Sequence, residues 1–151
     1  MTLKPGAEFS ILKLITDKVD QFTIDEYSFK RIDGFLENNI LKNGFHQILL
    51  ENTSYSLLKR NRKVRRKRIG GPGDSKLYFE FVSNDTYVLF ADGYYRRIKT
   101  KGDIIKSYPK LKKAINQFYI QNRNLKKSNP DKFMQRLFES IIKESHPLKD
   151  I

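Results

Sequence analysis

Ten residues, Lys59 to Arg68, read Lys-Arg-Asn-Arg-Lys-Val-Arg-Arg-Lys-Arg, and eight of them are basic. The chemistry open to such a run is the binding of anions. Lys59, Arg60, Arg62, Lys63, Arg65, Arg66, Lys67 and Arg68 are therefore the leading anion-binding candidates. Arg outnumbers Lys by five to three, which favours bidentate contacts with phosphate. Contact with a nucleic acid through such groups is steeply salt-dependent and indifferent to sequence. At an anionic membrane, each basic side chain near the headgroups contributes about 1 kcal/mol. The bland reading is a solvated loop that aids solubility. Arg96 and Arg97, beside Tyr94 and Tyr95, extend the patch if their hairpin lies alongside.

Other chemistries find little support. There is no Cys, so disulfides, thiolate metal sites and Cys nucleophiles are excluded together. The two histidines, His46 and His146, fall in a strand and in the tail, and His46 reads as a sheet-surface residue. Asp17 and Asp20 form a carboxylate pair in principle, but they sit at a turn, where acids are common. No metal-ligand spacing occurs. Gly70-Gly71-Pro72-Gly73-Asp74 lacks the spacing of a phosphate-binding loop, and Pro72 removes an amide donor. Lys76 to Val82 faintly echoes an aromatic RNA-recognition strand, but bulky residues occupy the required Gly positions. Its aromatics read instead as core and cross-strand pairs. No enzyme and no cofactor are expected.

At 151 residues the chain has one domain's length, and eleven Phe and eight Tyr suffice for a core. Its net charge of +13 is unevenly spread. Residues 1–58 carry −2 and residues 69–98 carry −1, whereas 59–68 and 99–151 each carry +8. Such segregation points to an electrostatic surface. No apolar run approaches the ~20 residues that span a bilayer. Pro5, Gly6 and Glu8 interrupt any signal-peptide core, so the chain as written is expected to be cytoplasmic. A signal lying upstream would place it in the periplasm or cell envelope.

The elements that position the basic run are strands. Phe9–Ile15, Val19–Ile24, Tyr27–Ile32, Phe45–Leu50, Tyr55–Leu58, Leu77–Val82, Tyr87–Phe90 and Tyr94–Ile98 carry the strand pattern. Asn52 marks one hairpin tip and Asp92-Gly93 another. Phe35–Asn43 reads as a helical turn or a loop. As a strand the basic run has no apolar face, so it must project as a solvated strand end or mobile loop, with the glycines completing a flexible excursion. From Thr100 the period becomes helical. Thr100 and Asp103 form a capping pair, Pro109 opens a second helix, and Asn122–Ser128 reads as a loop. Ser128-Asn129-Pro130-Asp131 starts a helix that buries Phe133, Met134, Leu137, Phe138, Ile141 and Ile142, and Pro147 ends it.

The order of these elements from Val19 to Ile142 resembles an uncharacterised cell-envelope protein family of Bacteroidetes-type bacteria. The local signatures are Val19, Phe22 and Ile24, then Asn43 to Leu50, Tyr55 to Lys59, Tyr87 to Ile98, and Pro109 to Ile115. Members carry an export signal and a further β-rich segment upstream, so this chain corresponds to their C-terminal half. The resemblance implies an envelope setting and a non-enzymatic role, and supplies no catalytic residues.

The expectation is a single α+β domain over residues 1–151. A meander of about six to eight antiparallel strands (residues 1–98, with a basic loop at 59–75) is covered on one face by two to three helices (residues 99–151). The expected function is a non-catalytic binding or structural module whose basic loop engages an anionic protein, membrane headgroups or a polysaccharide. The alternative is sequence-independent nucleic-acid binding by Lys59–Arg68 together with the basic helix faces at Lys110, Lys112, Lys113, Arg123, Lys126 and Lys127.

Overall fold

The computed structural model describes residues 18–32, 44–74 and 76–145. The strand at Phe9–Ile15, the segment Phe35–Asn43, Asp17, and the tail with His146 and Pro147 lie outside them. Eight strands precede four α-helices among the described residues, and the fold is α+β as the sequence predicts. The strands are β1 (Gln21–Ile24), β2 (Tyr27–Ile32), β3 (Gly44–Glu51), β4 (Tyr55–Arg60), β5 (Lys63–Ile69), β6 (Leu77–Ser83), β7 (Thr86–Ala91) and β8 (Tyr94–Ile98). The helices are α1 (Lys101–Ser107), α2 (Lys112–Gln121), α3 (Arg123–Ser128) and α4 (Pro130–Ser145), with a 3-10 turn at Pro109–Leu111.

Among the described residues, six strands form the expected antiparallel meander and the other two form a separate ribbon. The six run in the order β1-β2-β3-β4-β7-β8, while β5 and β6 pair, among the described residues, only with each other. Strands β4 and β7 meet in register, Arg60 opposite Thr86, so the β5–β6 ribbon is an insertion between two central strands. Local chemistry sets the turns. Asp92 and Gly93 both take positive φ between β7 and β8, the geometry that a two-residue hairpin needs. The Asn52 side chain accepts from the amides of Ser54 and Tyr55 and closes the β3–β4 hairpin.

Helices α1 and α4 start where the sequence marks them, whereas Pro109, expected to open the second helix, opens the 3-10 turn and α2 begins at Lys112. Thr100 accepts from the Asp103 amide, and Asp103 accepts in return from the Thr100 amide, a complete capping box. The Asn129 side chain accepts from the Lys132 amide and opens α4 with Pro130 in its first turn. Residues 123–128, expected as a loop, form α3 instead. Leu125 packs on the core there, and the flanking Lys and Arg are good helix formers, which outweighs Asn124.

The main core lies between the sheet and the helices. Leu57, Leu89 and Ile98 pack there against Ile104, Ile115, Phe133, Leu137 and Phe138. A bulge between Ile48 and Leu50 adds Leu49, whose carbonyl accepts from Gln135 of α4 at 2.8 Å. The expectation of one covered face understates the burial. Leu58 and Val88 point to the other face and are also buried, with Ile32. The adjacent apolar pairs Leu57-Leu58 and Val88-Leu89 carry that signal, since strands buried on both faces do not alternate.

His46 is not a sheet-surface residue, as its sequence context suggests, but is buried. Its Nδ1 lies 3.0 Å from the Gly44 carbonyl oxygen, and its Nε2 has no hydrogen-bond partner among the described residues. Burial pushes its pKa below the ordinary value, against the Gly44 carbonyl, and the Arg60 charge adds to the lowering. The unfolded chain therefore takes up this proton first. Stability from the neutral ring is complete above about pH 6.5 and is lost as pH falls toward the folded value, by up to ~1.4 kcal/mol per pH unit. Urea midpoints between about pH 7.5 and 5 should fall more steeply for the native chain than for His46→Gln; equal slopes would refute the assignment.

Candidate anion-binding arm

The basic run divides at its first residues. Lys59 does not face solvent: its Nζ lies 2.8 Å from Asp131 Oδ2 and 3.2 Å from Asp85 Oδ2. Burial alone would lower the ammonium's pKa, but the hydrogen bonds and charge of Asp131 and then Asp85 raise it. Lys59 is therefore a structural cation and no longer an anion-binding candidate. Asp131 also accepts from the Tyr87 hydroxyl at 2.7 Å; burial first, then this bond, push the phenol far above its usual pKa. Asp85 in turn accepts from the Arg62 amide at 2.9 Å, and the Asn84 amide donates to the Arg62 carbonyl at 2.8 Å. Asn61 donates to Gln47. This network ties the root of the insertion to β3, β7 and the start of α4.

Beyond the root the chain is neither a loose strand end nor a loop. Lys63 to Ile69 pairs residue for residue with Leu77 to Ser83, Lys63 opposite Ser83 and Ile69 opposite Leu77. At about 3.3 Å per residue, the ribbon extends roughly 20 Å. A run of Lys and Arg can be a strand here because β6 supplies Tyr, Phe and Val partners. The Arg65 guanidinium lies 4.5 Å from the centre of the diagonally placed Phe79 ring.

The tip is built rather than slack. The Gly70 amide donates to the Lys76 carbonyl, and the Asp74 amide to that of Gly71. Asp74 accepts from the Lys76 amide and from the Tyr78 hydroxyl, the Tyr78 bond being the larger of the two effects that hold its carboxyl below the usual range. Gly70 has to be glycine, since a Cβ there would sit 2.6 Å from the Asp74 carbonyl oxygen. With Asp74 and Glu80 beside it, the tip is a poor cradle for phosphate.

Alternation sorts the arm into two faces. One carries Lys63, Arg65, Lys67 and Ile69 on β5, opposite Ser83, Phe81, Phe79 and Leu77 on β6. The other carries Val64, Arg66 and Arg68 opposite Val82, Glu80 and Tyr78. The first face holds no acid. Its aromatics are cross-strand partners but not core, contrary to part of their expected role: Phe79 is 47% and Phe81 69% exposed, and Ile69 and Leu77 beside them are 75% and 51% exposed. The reason lies in the pairing. Since β5 offers no apolar face, a strand paired only with β5 cannot reach the core. The signal in the sequence is the equal length of the two runs flanking Gly70 to Gly73.

The other candidates separate. Arg60 ends β4 and is half-buried, and Arg62 is exposed at the arm's root. Arg96 and Arg97 lie on β8, which hydrogen-bonds to β7 and not to the arm. They point to opposite faces, and Arg96 approaches Asp92 at 3.8 Å. Part of the C-terminal charge does sit near the root. Tyr87 lines a cavity of about 330 Å³ with Lys99, Lys101 and Lys126, and the Tyr119 ring lies under both Lys101 and Lys126.

Comparison with protein-family models, with curated proteins and with solved structures returns no match. No helix among the described residues is long and apolar enough to cross a membrane. The arm itself is therefore the ground for a functional reading.

Proposed function

We propose that this chain is a non-catalytic binding module that holds an anionic macromolecule on its β5–β6 arm. One observation carries the reading. Lys63, Arg65, Arg66, Lys67 and Arg68 stand exposed on a ribbon, and none of the five makes an ion pair among the described residues. In the larger sheet Lys59 has two carboxylates, Lys30 has Glu51, Arg31 has Asp20 and Arg96 has Asp92, while Arg60 and Arg97 make no ion pair among the described residues. Five unpaired cations on a two-stranded arm give a polyanion close contact without disturbing the core. The envelope setting implied by the resemblance and a nucleic-acid setting are both compatible with that surface.

The test is the salt dependence of heparin binding. Heparin should bind the native chain with log K falling linearly in log salt. Changing Lys63, Arg65, Arg66, Lys67 and Arg68 together to Gln should make the slope shallower by about four, close to the number of ions released by five contacts. The circular dichroism of the two chains should agree. Unchanged affinity and slope in the variant would overturn the reading.

A further inference from the structure

We infer that the arm's partner is a single-stranded nucleic acid, its bases stacked on Phe79 and Phe81 and its phosphates held by Lys63, Arg65 and Lys67. This rests on the anion-binding reading above and names the partner class. The rungs of the acid-free face point to it. Arg65 stands opposite Phe81, and Lys67 opposite Phe79, so each rung offers one cation and one ring on the same side of the ribbon. The two rings are two residues apart on β6, about 6.6 Å; Arg65 covers one face of Phe79, so a base takes that ring's other face while Phe81 takes its own. They are exposed although they are large and apolar, as a stacking platform requires. Arg65, over the Phe79 ring, adds a guanidinium plane on which a base also stacks.

Two other anionic partners fit this face less well. An intact duplex keeps its bases stacked on one another, which leaves Phe79 and Phe81 nothing to stack on. An anionic membrane favours apolar groups deep and cations shallow. Here cations and rings share each rung at one depth, and the tip that would enter first carries Asp74, its carboxyl kept ionised by Tyr78 and Lys76. Single strands need ring and cation side by side.

Titration by fluorescence anisotropy with labelled oligo(dT) at about 0.1 M salt tests this. The native chain should bind oligo(dT) at least about tenfold more tightly than an abasic phosphodiester of equal length, since stacking on even one ring contributes that much. It should also prefer oligo(dT) to a duplex of the same length. Phe79→Ile with Phe81→Ile, which keeps strand propensity and apolar area, should remove the preference over the abasic strand. The same variant should leave heparin binding unchanged. Equal affinity for oligo(dT) and the abasic strand overturns the inference, as does a ring variant that binds like the native chain. So does tighter binding to vesicles rich in phosphatidylserine than to oligo(dT). In each of these outcomes, heparin binding lost on Gln substitution of the cations would still leave the anion-binding reading standing; loss of neither would remove both.

Discussion

Replacing Lys59 with Met is expected to lower the free energy of unfolding by about 3 kcal/mol, the lower end for removing one partner of a buried ion pair. The lower end applies because Asp85 and Asp131 keep about a quarter of their side-chain surface in water, 23% and 29%. Without the ammonium, the two carboxylates face each other across an apolar side chain. The double variant Lys59→Met with Asp131→Asn should recover more than half of the loss, since it removes one of the stranded charges. Failure of the double variant to recover anything would mean that Lys59 acts through packing alone. The native pair also has a pH signature. Because the folded pKa lies above the ordinary 10.5, its contribution is complete below about pH 10.5 and fades as pH rises through the folded value.

The same substitution should be felt in the arm. Asp85 receives the Lys59 ammonium on one oxygen and the Arg62 amide on the other. Hydrogen exchange at the Arg62 and Asn84 amides should therefore quicken in Lys59→Met, while amides of α4 beyond its first turn keep their order of protection.

Phe133→Ala is the second large effect, with an expected loss of about 3 to 5 kcal/mol. The ring is buried at the start of α4, and it meets Phe118 and Tyr119 edge-on at 5.5 and 4.9 Å between centroids. Each aromatic pair contributes about 0.5 to 1.5 kcal/mol beyond the buried area. Against a total stability of about 5 to 15 kcal/mol, the loss should pull the urea midpoint down sharply. Phe81→Ala removes the same ring from the arm and should change stability by only about 0.5 kcal/mol, as at other exposed positions. Comparable losses in the two variants would mean that the arm is part of the cooperative core.

Features set by neighbours along the chain are legible in the residues alone. The Thr100–Asp103 box, the Asn129 cap and the Asp92-Gly93 turn each need only three or four residues to state their conformation. The two-sided burial of β4 and β7 is also written there, in Leu57-Leu58 and Val88-Leu89, but alternation in the other strands hides it. What the residues conceal depends on pairing across distance. The basic run looks unfit for regular structure because its own residues offer no apolar face, and only β6 makes it a strand. Conversely, Phe79 and Phe81 look like core because ring chemistry says nothing about which strand stands opposite. Lys59 is identical in type to Lys63, and only Asp131, far along the chain, turns the first into a structural cation. Of the expected site, the five arm cations from Lys63 to Arg68 come together; Arg96 and Arg97 do not join them.

The ribbon has a consequence for how copies of this chain behave toward one another. With only two strands among the described residues, it has two open edges, that of β5 beside the cations and that of β6 beside exposed Leu77, Phe79 and Phe81. Such an edge is a template for another chain's strand, and natural sheets guard it with lysines and other charges. The arm's guard is its own cation run, which repels any second arm. In about 1 M salt the repulsion is screened within roughly 3 Å, and a polyanion cancels it without salt. If arms gather along one anionic strand of the kind proposed above, they would lose the charge that keeps them apart.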